Sequence, residues 1–404
     1  MKDIKSLPII IWSMSRWDNS LSSAAYSLAK ELSKNNDVYY IDYPFTIKEY
    51  LDAKSEDYIV KRKRAILKGE DIYTKVPGLP KRFTAVTPKL LMSVSFLPPG
   101  RLYNFLARIN MRRFSGVLDK IIKDNKIKDY IFFNSFNPYY GYNVPKRFKP
   151  RFYIYQSRDD IRSYGPVAKH GLRGEVKSME EADVIMATST NLKRVLEGDT
   201  TKSVNLLPNG AEVSLFKTAF YEDLEKPKEL QNNTKPVVGY IGHIGLRLDF
   251  EILTALIASN PDKLFLFVGP GTYEEFTEVP LKDLDNVLFV GPKPLQELPR
   301  YLKYMDCTII PFLKNAITKS IYPLKLNEQL AAGKGIITTS FSEDLDHFED
   351  VIYRADTAEE FSHQIEKAIA ENSPEQMEKR IKHTDGNSWK DRIRLFWEIL
   401  DAKT

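Results

Sequence analysis

Several features that would define a function by themselves are missing from this sequence. It has one cysteine in 404 residues, Cys307. That excludes a disulfide framework and a cysteine-based zinc site, and it suits a reducing cytosol. Cys307 lies in an apolar strand-like run, the setting of a packed thiol rather than a nucleophile. No uninterrupted apolar run reaches roughly 18 residues, so no transmembrane helix is expected. The short run PIIIW at 8–12 passes into polar sequence without a cleavage-like site and reads as a first strand, not a signal peptide. The loop after it has no GxGxxG, which weakens a dinucleotide-binding reading. No Asp-x-Asp stands in a metal-binding context, so neither a metal nor a resident cofactor is expected. Acidic residues are also absent between Ile72 and Val117, where Lys75, Lys81, Arg82, Lys89, Arg101, Arg108, Arg112 and Arg113 all fall. The overall charge is only +5. The local excess therefore points to one basic face and an anionic partner.

What is present is a repeated strand–loop–helix pattern. The length suits two domains of roughly 150–200 residues. Runs at 8–12, 38–42, 130–134, 152–155, 183–188 and 204–207 read as buried strands alternating with helical segments, as in a doubly wound parallel sheet. The stretch 47–70 reads as a charged, solvent-facing helical excursion. Within 90–110, Leu102, Phe105, Leu106 and Ile109, continuing to Phe114, fall on one helical stripe with Arg101, Arg108 and Arg112 beside it. That pattern fits an interfacial helix on an anionic membrane and equally a core helix with a basic face. The polar stretch 221–235 reads as a linker. After it the pattern restarts, with strands at 237–241, 264–268, 287–290, 307–312 and 335–339. A final amphipathic helix covers 388–402. The domains expected are 1–220, 236–386 and a helix at 387–404 that packs back on the first domain.

Two clefts of chemistry stand out. Ser15, Arg16 and Trp17 follow the first strand, and Asp159 and Asp160 follow the fourth, at strand ends where α/β sites collect. One of the two carboxylates could cap the next helix while the other faces the cleft. In the second half, the loop Gly242–His243–Ile244–Gly245 would let backbone N–H groups approach a phosphate, with Arg247 as counter-charge. Further on, Pro323, Lys325 and Glu328 stand at the start of a helix. Lys325 is placed for a phosphate and Glu328, one turn on, for a ribose diol. On spacing alone the pair could equally be an exposed i,i+3 ion pair.

Four segments in order then resemble the group 1 family of GT-B glycosyltransferases. They are EADVIMATSTNL at 181–192, LPNGAEVSLF at 207–216, VVGYIGHIGLRLDF at 237–250 and YPLKLNEQLAAGKGII at 322–337. The resemblance implies two Rossmann-like domains facing a cleft, a last helix crossing back to the first domain, and sugar transfer from a nucleotide sugar held by the second domain. It implies ribose binding by Glu328 and diphosphate contact by Arg247. Two positions depart from the family pattern. Ser320 stands where the first glutamate of a Glu–seven residues–Glu motif is expected, and Ile252 stands where a lysine is expected. The first half is similar to the xanthan glucuronosyltransferase group of polysaccharide enzymes. That likeness implies Asp159, four residues after Tyr155, as base and Lys325 as phosphate ligand. Those enzymes invert the anomeric centre whereas most group 1 members retain it, so both outcomes stay open.

The expectation is a metal-independent, cytoplasmic enzyme, peripheral at the inner membrane face. Its donor is a nucleotide sugar, by resemblance UDP-linked, and its acceptor a saccharide or lipid-linked saccharide of cell-surface or exopolysaccharide synthesis. The basic 75–114 segment is expected to meet the anionic membrane, and no nucleic-acid partner is expected. The alternatives are a nucleotide-sugar 2-epimerase, which the scarcity of first-domain histidines argues against, and a degenerate nucleotide-sugar-binding partner, suggested by Ser320.

Overall fold

The computed structural model describes residues 3–18, 23–140, 144–145, 147–163, 165–271, 281 and 284–403. Residues 19–22 of the polar loop after the first strand lie outside that set. The chain forms two compact units, Met1–Pro208 with Ile393–Thr404, and Asn209–Arg392.

The first unit is built on β1 (Ile9–Ser13), β2 (Val38–Ile41), β3 (Tyr73–Thr74), β4 (Phe83–Val86), β5 (Ile131–Ser135), β6 (Phe152–Ser157), β7 (Val184–Ala187) and β8 (Val204–Leu206). They are ordered β3-β4-β2-β1-β5-β6-β7-β8. Only the short edge strand β3 is antiparallel to its neighbour. Every residue of β1, β5 and β6 is buried. Such strands belong to a sheet covered on both faces, which is why the sequence shows them as unbroken apolar runs rather than alternations. The helix Arg101–Asp124 packs Phe114, Leu118 and Ile121 into this core, with the Phe114 ring 4.2 Å from that of Trp12. Followed backward at helical spacing, that stripe passes through Met111 and Asn110, not through Leu102 and Phe105. Those two side chains therefore stay exposed, and the single stripe expected from sequence is split in two. The 47–70 excursion is only partly solvent-facing, because Ile59 and Ile66 pack on Phe45 as a small core of their own. Phe396, near the chain end, is buried 5.7 Å from the Phe133 ring of β5, and Lys5 pairs with Asp401 at 2.8 Å.

The second unit holds β9 (Val237–Ile241), β10 (Leu264–Val268), β11 (Val287–Phe289), β12 (Cys307–Ile310), β13 (Gly335–Thr338) and β14 (Tyr353–Arg354). The order is β11-β10-β9-β12-β13-β14, parallel throughout. The unit begins at Asn209, upstream of the polar 221–235 stretch. Val213, Phe216 and Ala219 of the helix Val213–Tyr221 share a core with Val237, Ile241 and Leu302, so apolar packing carries that helix into the second unit. The polar stretch marks exposure, not a boundary. The second unit ends at Arg392, where 386 was expected.

Gly210 closes a Pro-Asn-Gly turn whose composition suggests positive φ, yet it does not adopt one. The constraint is space: a Cβ there would lie 2.7 Å from the backbone N and Cα of Trp389. Backbone cannot yield as a side-chain tip can. Gly210→Ala is expected to destabilise the protein by about 1–3 kcal/mol, read as a lower urea midpoint with an unchanged slope.

Candidate functional site

In the second unit the strand order reverses between β9 and β12, the place where open α/β sheets bind ligands beyond their carboxyl ends. Sheet-like pairing continues past the strands here. The Gly242 amide donates to the Val268 carbonyl at 2.9 Å and the Ile244 amide to that of Pro270 at 2.8 Å. Beyond β12, the Leu313 amide donates to the Arg247 carbonyl and the Asp249 amide to that of Pro311, at 2.9 and 2.8 Å. Asp249 also caps the helix Phe250–Ser259 through the Ile252 amide. The 242–249 loop is therefore held on both sides before any ligand arrives.

Two glycines make this packing possible. Gly269, at φ +147°, would place a Cβ 2.0 Å from the Gly242 carbonyl oxygen. Gly242, at φ +149°, would place one 1.6 Å from the Lys325 ammonium nitrogen. Both lie where L side chains are strained. The space over Gly242 is thus occupied by the lysine ammonium itself. Lys325 reaches it from the first turn of the helix Leu324–Ala331, which Pro323 precedes. Its Nζ donates to the Tyr240 hydroxyl at 3.2 Å and lies 4.9 Å from the Tyr240 ring centroid and 5.7 Å from that of Phe312. The Tyr240 hydroxyl in turn donates to the His243 carbonyl at 2.8 Å.

Among the described residues, this ammonium has no carboxylate hydrogen bond. Its pKa falls to about 8, first through burial and then through the charge of Arg247, with Glu328 only partly offsetting both. Glu328 rises to about 7, again through burial first, with Lys325 opposing and Glu212 reinforcing. Each keeps a partly accessible surface, while the atoms packed around it dominate its titration. The exposed i,i+3 ion pair is therefore not what forms. Two cations, Lys325 and Arg247, bear on one another at a glycine loop, and a carboxylate raised toward neutrality stands one turn away. Such an arrangement favours an anion for the cations and a hydroxyl donor for the carboxylate.

The other residues singled out from sequence divide by environment. His243 and Arg247 are exposed and Gly245 is buried. The Gly245 carbonyl accepts from the Leu248 amide at 2.9 Å. Ser320 is buried as the C-cap of the short helix Ala316–Lys319. Ile252, standing where a lysine was expected, packs against the core. Tyr240 and Glu212 were not singled out. Tyr240 looks like any apolar strand residue in sequence, and Glu212 like any helix cap.

In the first unit, Ser15 joins a hydroxyl cluster, 2.9 Å from Ser13, 2.6 Å from Ser23 and 2.5 Å from Tyr40. Arg16 is tied to the Tyr43 carbonyl at 3.0 Å and to Glu49 at 3.1 Å, with its guanidinium 3.7 Å over the Phe45 ring. The Trp17 amide donates to buried Asp42 at 3.0 Å. These three residues hold the loop together. Asp160 is buried and accepts from the Arg162 amide at 3.0 Å and its guanidinium at 3.3 Å, capping the turn Ile161–Ser163. Asp159 beside it is half-buried. Next to it, Arg158 is anchored to Ser135 at 3.1 Å and Gln156 at 3.0 Å, and burial lowers its pKa to about 10. In the sequence Arg158 carries no signal of its own, because arginines before Asp are common on surfaces. Among the described residues, no group of three or more His, Cys, Asp or Glu could hold a metal ion, and no helix is long and apolar enough to cross a membrane.

Two parallel doubly wound units of this kind, with the second carrying a glycine loop and a Lys/Glu helix start at its switch point, define the GT-B architecture. Comparison with known proteins agrees. Residues 235–371 match the family model described as glycosyl transferases group 1, a stretch that lies within the second unit. A Bacillus subtilis (strain 168) protein named for a glycosyltransferase of teichuronic acid biosynthesis, TuaH, is 29% identical over 222 residues, 52% of this chain and 55% of that one. The chain thus spans about half the length of this curated relative. Among solved structures, sucrose-phosphate synthase (tll1590) from Thermosynechococcus elongatus has a TM-score of 0.70 at 14% identity, covering 98% of this chain and 100% of that one. Anabaena Alr3699/HepE in complex with UDP and glucose has a TM-score of 0.63 at 13% identity, covering 98% and 99%. These structural likenesses establish the fold.

Proposed function

We propose that this protein is a glycosyltransferase that moves a sugar from a UDP-linked donor to a saccharide acceptor of cell-surface polysaccharide synthesis. The observation that carries this reading is the Lys325 ammonium lodged over Gly242, with Arg247 bearing on it and Glu328 one turn away. In the proposed complex the diphosphate sits on Lys325, Arg247 and the His243 and Gly245 amides, since those of Gly242 and Ile244 are already engaged, and the ribose diol donates to Glu328. As the bond to the sugar breaks, charge grows on the departing diphosphate, where those cations stabilise it. Asp159 takes the proton from the attacking acceptor hydroxyl, as an inverting transfer requires. The chain's own cations supply this charge stabilisation, so turnover is expected to survive EDTA. The choice of UDP is supported by the UDP held in the Anabaena neighbour and the choice of acceptor class by the name of the Bacillus relative.

The deciding experiment is UDP release from a panel of UDP-sugars with cell-envelope glycan acceptors. Acceptor-dependent release supports the transferase. UDP binding without turnover on any donor would favour a nucleotide-sugar-binding partner instead. The affinity for UDP should also depend on pH in a defined way. Lys325 is charged below about 8 and Glu328 above about 7, so binding should be tightest between these values. It should weaken by up to about tenfold per pH unit on either side. Calorimetric titration from pH 5.5 to 9.5 reads this; a flat profile would count against both roles.

The membrane position also belongs to this proposal. Apart from Tyr221 and Leu246, every large hydrophobic side chain exposed among the described residues falls between Ile47 and Phe105. Phe96, Leu102 and Phe105 are 72%, 60% and 59% exposed, inside the acid-free basic segment. Apolar side chains among cations suit an anionic bilayer surface. Changing Leu102 and Phe105 to Ser is expected to lower co-sedimentation with phosphatidylglycerol vesicles severalfold. Unchanged sedimentation would remove the docking role.

A further inference from the structure

In the first unit, a pocket of about 480 Å³ opens between the helices Arg101–Asp124 and Gly165–Glu181. Arg108 and Arg112 line it from the first helix, Arg173 and Lys177 from the second, with Asn104, Ser115 and Tyr139 as further polar lining. Among the described residues, no carboxylate lines it. Three arginines around one concavity, Arg108, Arg112 and Arg173, repel one another unless an anion joins them.

Ser115 supplies an independent observation. It is 1% exposed, and its hydroxyl has no hydrogen-bond partner among the described residues. A buried helical serine ordinarily returns its hydroxyl to the preceding turn, as Ser178 of the neighbouring helix does to the Gly174 carbonyl at 2.8 Å. Ser115 does not, and a buried donor without an acceptor is a costly arrangement in a native protein. An oxyanion in the pocket would supply that acceptor. One helical turn before Arg108 stands Phe105, exposed on the same helix, so an anion carried on a hydrocarbon chain would find an apolar neighbour at the pocket's edge.

We propose that this pocket seats a phosphate or diphosphate group borne by a lipid, separate from the diphosphate site at Lys325. The proposal rests on the transferase reading for its purpose, holding a lipid-borne acceptor, but not for its chemistry. Arginine forks and a hydroxyl are a recurring phosphate-binding set.

The test uses the full chain carrying Lys325→Ala, which removes the donor-side diphosphate seat. Inorganic diphosphate is titrated by calorimetry, and phosphatidylcholine vesicles containing phosphatidic acid are tested by sedimentation. Arg108→Gln with Arg173→Gln is expected to weaken binding about 100-fold, and Ser115→Ala about tenfold. Ser115→Ala should leave the melting temperature unchanged or raised, because it removes a hydroxyl that has no partner. Binding of free diphosphate with this variant dependence supports a site for the acceptor's own phosphate. The same dependence seen only with vesicles supports a site for a bilayer headgroup. Wild-type pocket residues binding neither probe, or variants binding both undiminished, would overturn the proposal. UDP titration of the unmodified chain is the control, since its failure would defeat the donor-site reading without touching this pocket.

Discussion

Gly242→Ala is expected to weaken UDP binding about 100-fold, as much as Lys325→Ala does, with the double variant no worse than either. The reason is spatial. The added methyl would fall 1.6 Å from the Lys325 Nζ and 3.1 Å from the Tyr240 hydroxyl. The ammonium is the tip of a flexible side chain and moves aside, so the protein folds but the cation leaves the loop. Losing one charge-assisted phosphate contact accounts for an effect of this order. The two variants should nevertheless differ in stability. Lys325→Ala removes a cation whose pKa is pulled from 10.5 to about 8 chiefly by burial, and is expected to stabilise the free protein by about 1–3 kcal/mol after allowing for its accessible tip. Gly242→Ala forces an L residue to φ +149° and is expected to cost about 1–3 kcal/mol. Opposite shifts in melting temperature with equal losses of UDP affinity would identify Lys325 as a residue held at a cost for binding. Additive losses in the double variant would show that Gly242 acts by some other route.

Asp159→Asn is expected to lower transfer about 10²- to 10⁴-fold while leaving UDP affinity unchanged, the range for loss of a general base. Asp160→Asn should do the reverse, keeping most activity and costing about 1 kcal/mol of stability. The distinction follows from their surroundings. Asp160 is buried, and its carboxylate is already engaged by the Arg162 amide and guanidinium. Asp159 retains accessible surface beside the anchored Arg158. Turnover under saturating donor, with denaturation midpoints for both variants, separates the roles. Loss of turnover on Asp160→Asn with Asp159→Asn unaffected would transfer the base assignment to Asp160.

The legibility of the molecule in its sequence follows the same physics. The central strands were readable because doubly covered parallel strands are unbroken apolar runs, as PIIIW at 8–12 and YIFFN at 130–134 are. The edge strand β3 and its neighbour β4 were not, since two- and four-residue strands among Pro and Lys carry no period. The helix start at Lys325 and Glu328 was visible as spacing. Spacing cannot distinguish a surface ion pair from two groups pushed toward neutrality; that required Tyr240, Phe312 and Gly242 around the ammonium. Arg16 misled in the opposite direction. Its position after a strand suggested a ligand contact, while Glu49 and the Tyr43 carbonyl, distant in sequence, engage it. The unit boundary was displaced because polarity reports solvent exposure, whereas membership of a core is decided by residues such as Phe216.

The most direct test of the account is a calorimetric titration of UDP into the wild-type chain and into Gly242→Ala at pH 7.5. The account predicts one UDP per wild-type chain and an affinity about 100-fold weaker in the variant. Absence of saturable binding to the wild type, or equal affinity in a folded Gly242→Ala, would contradict it.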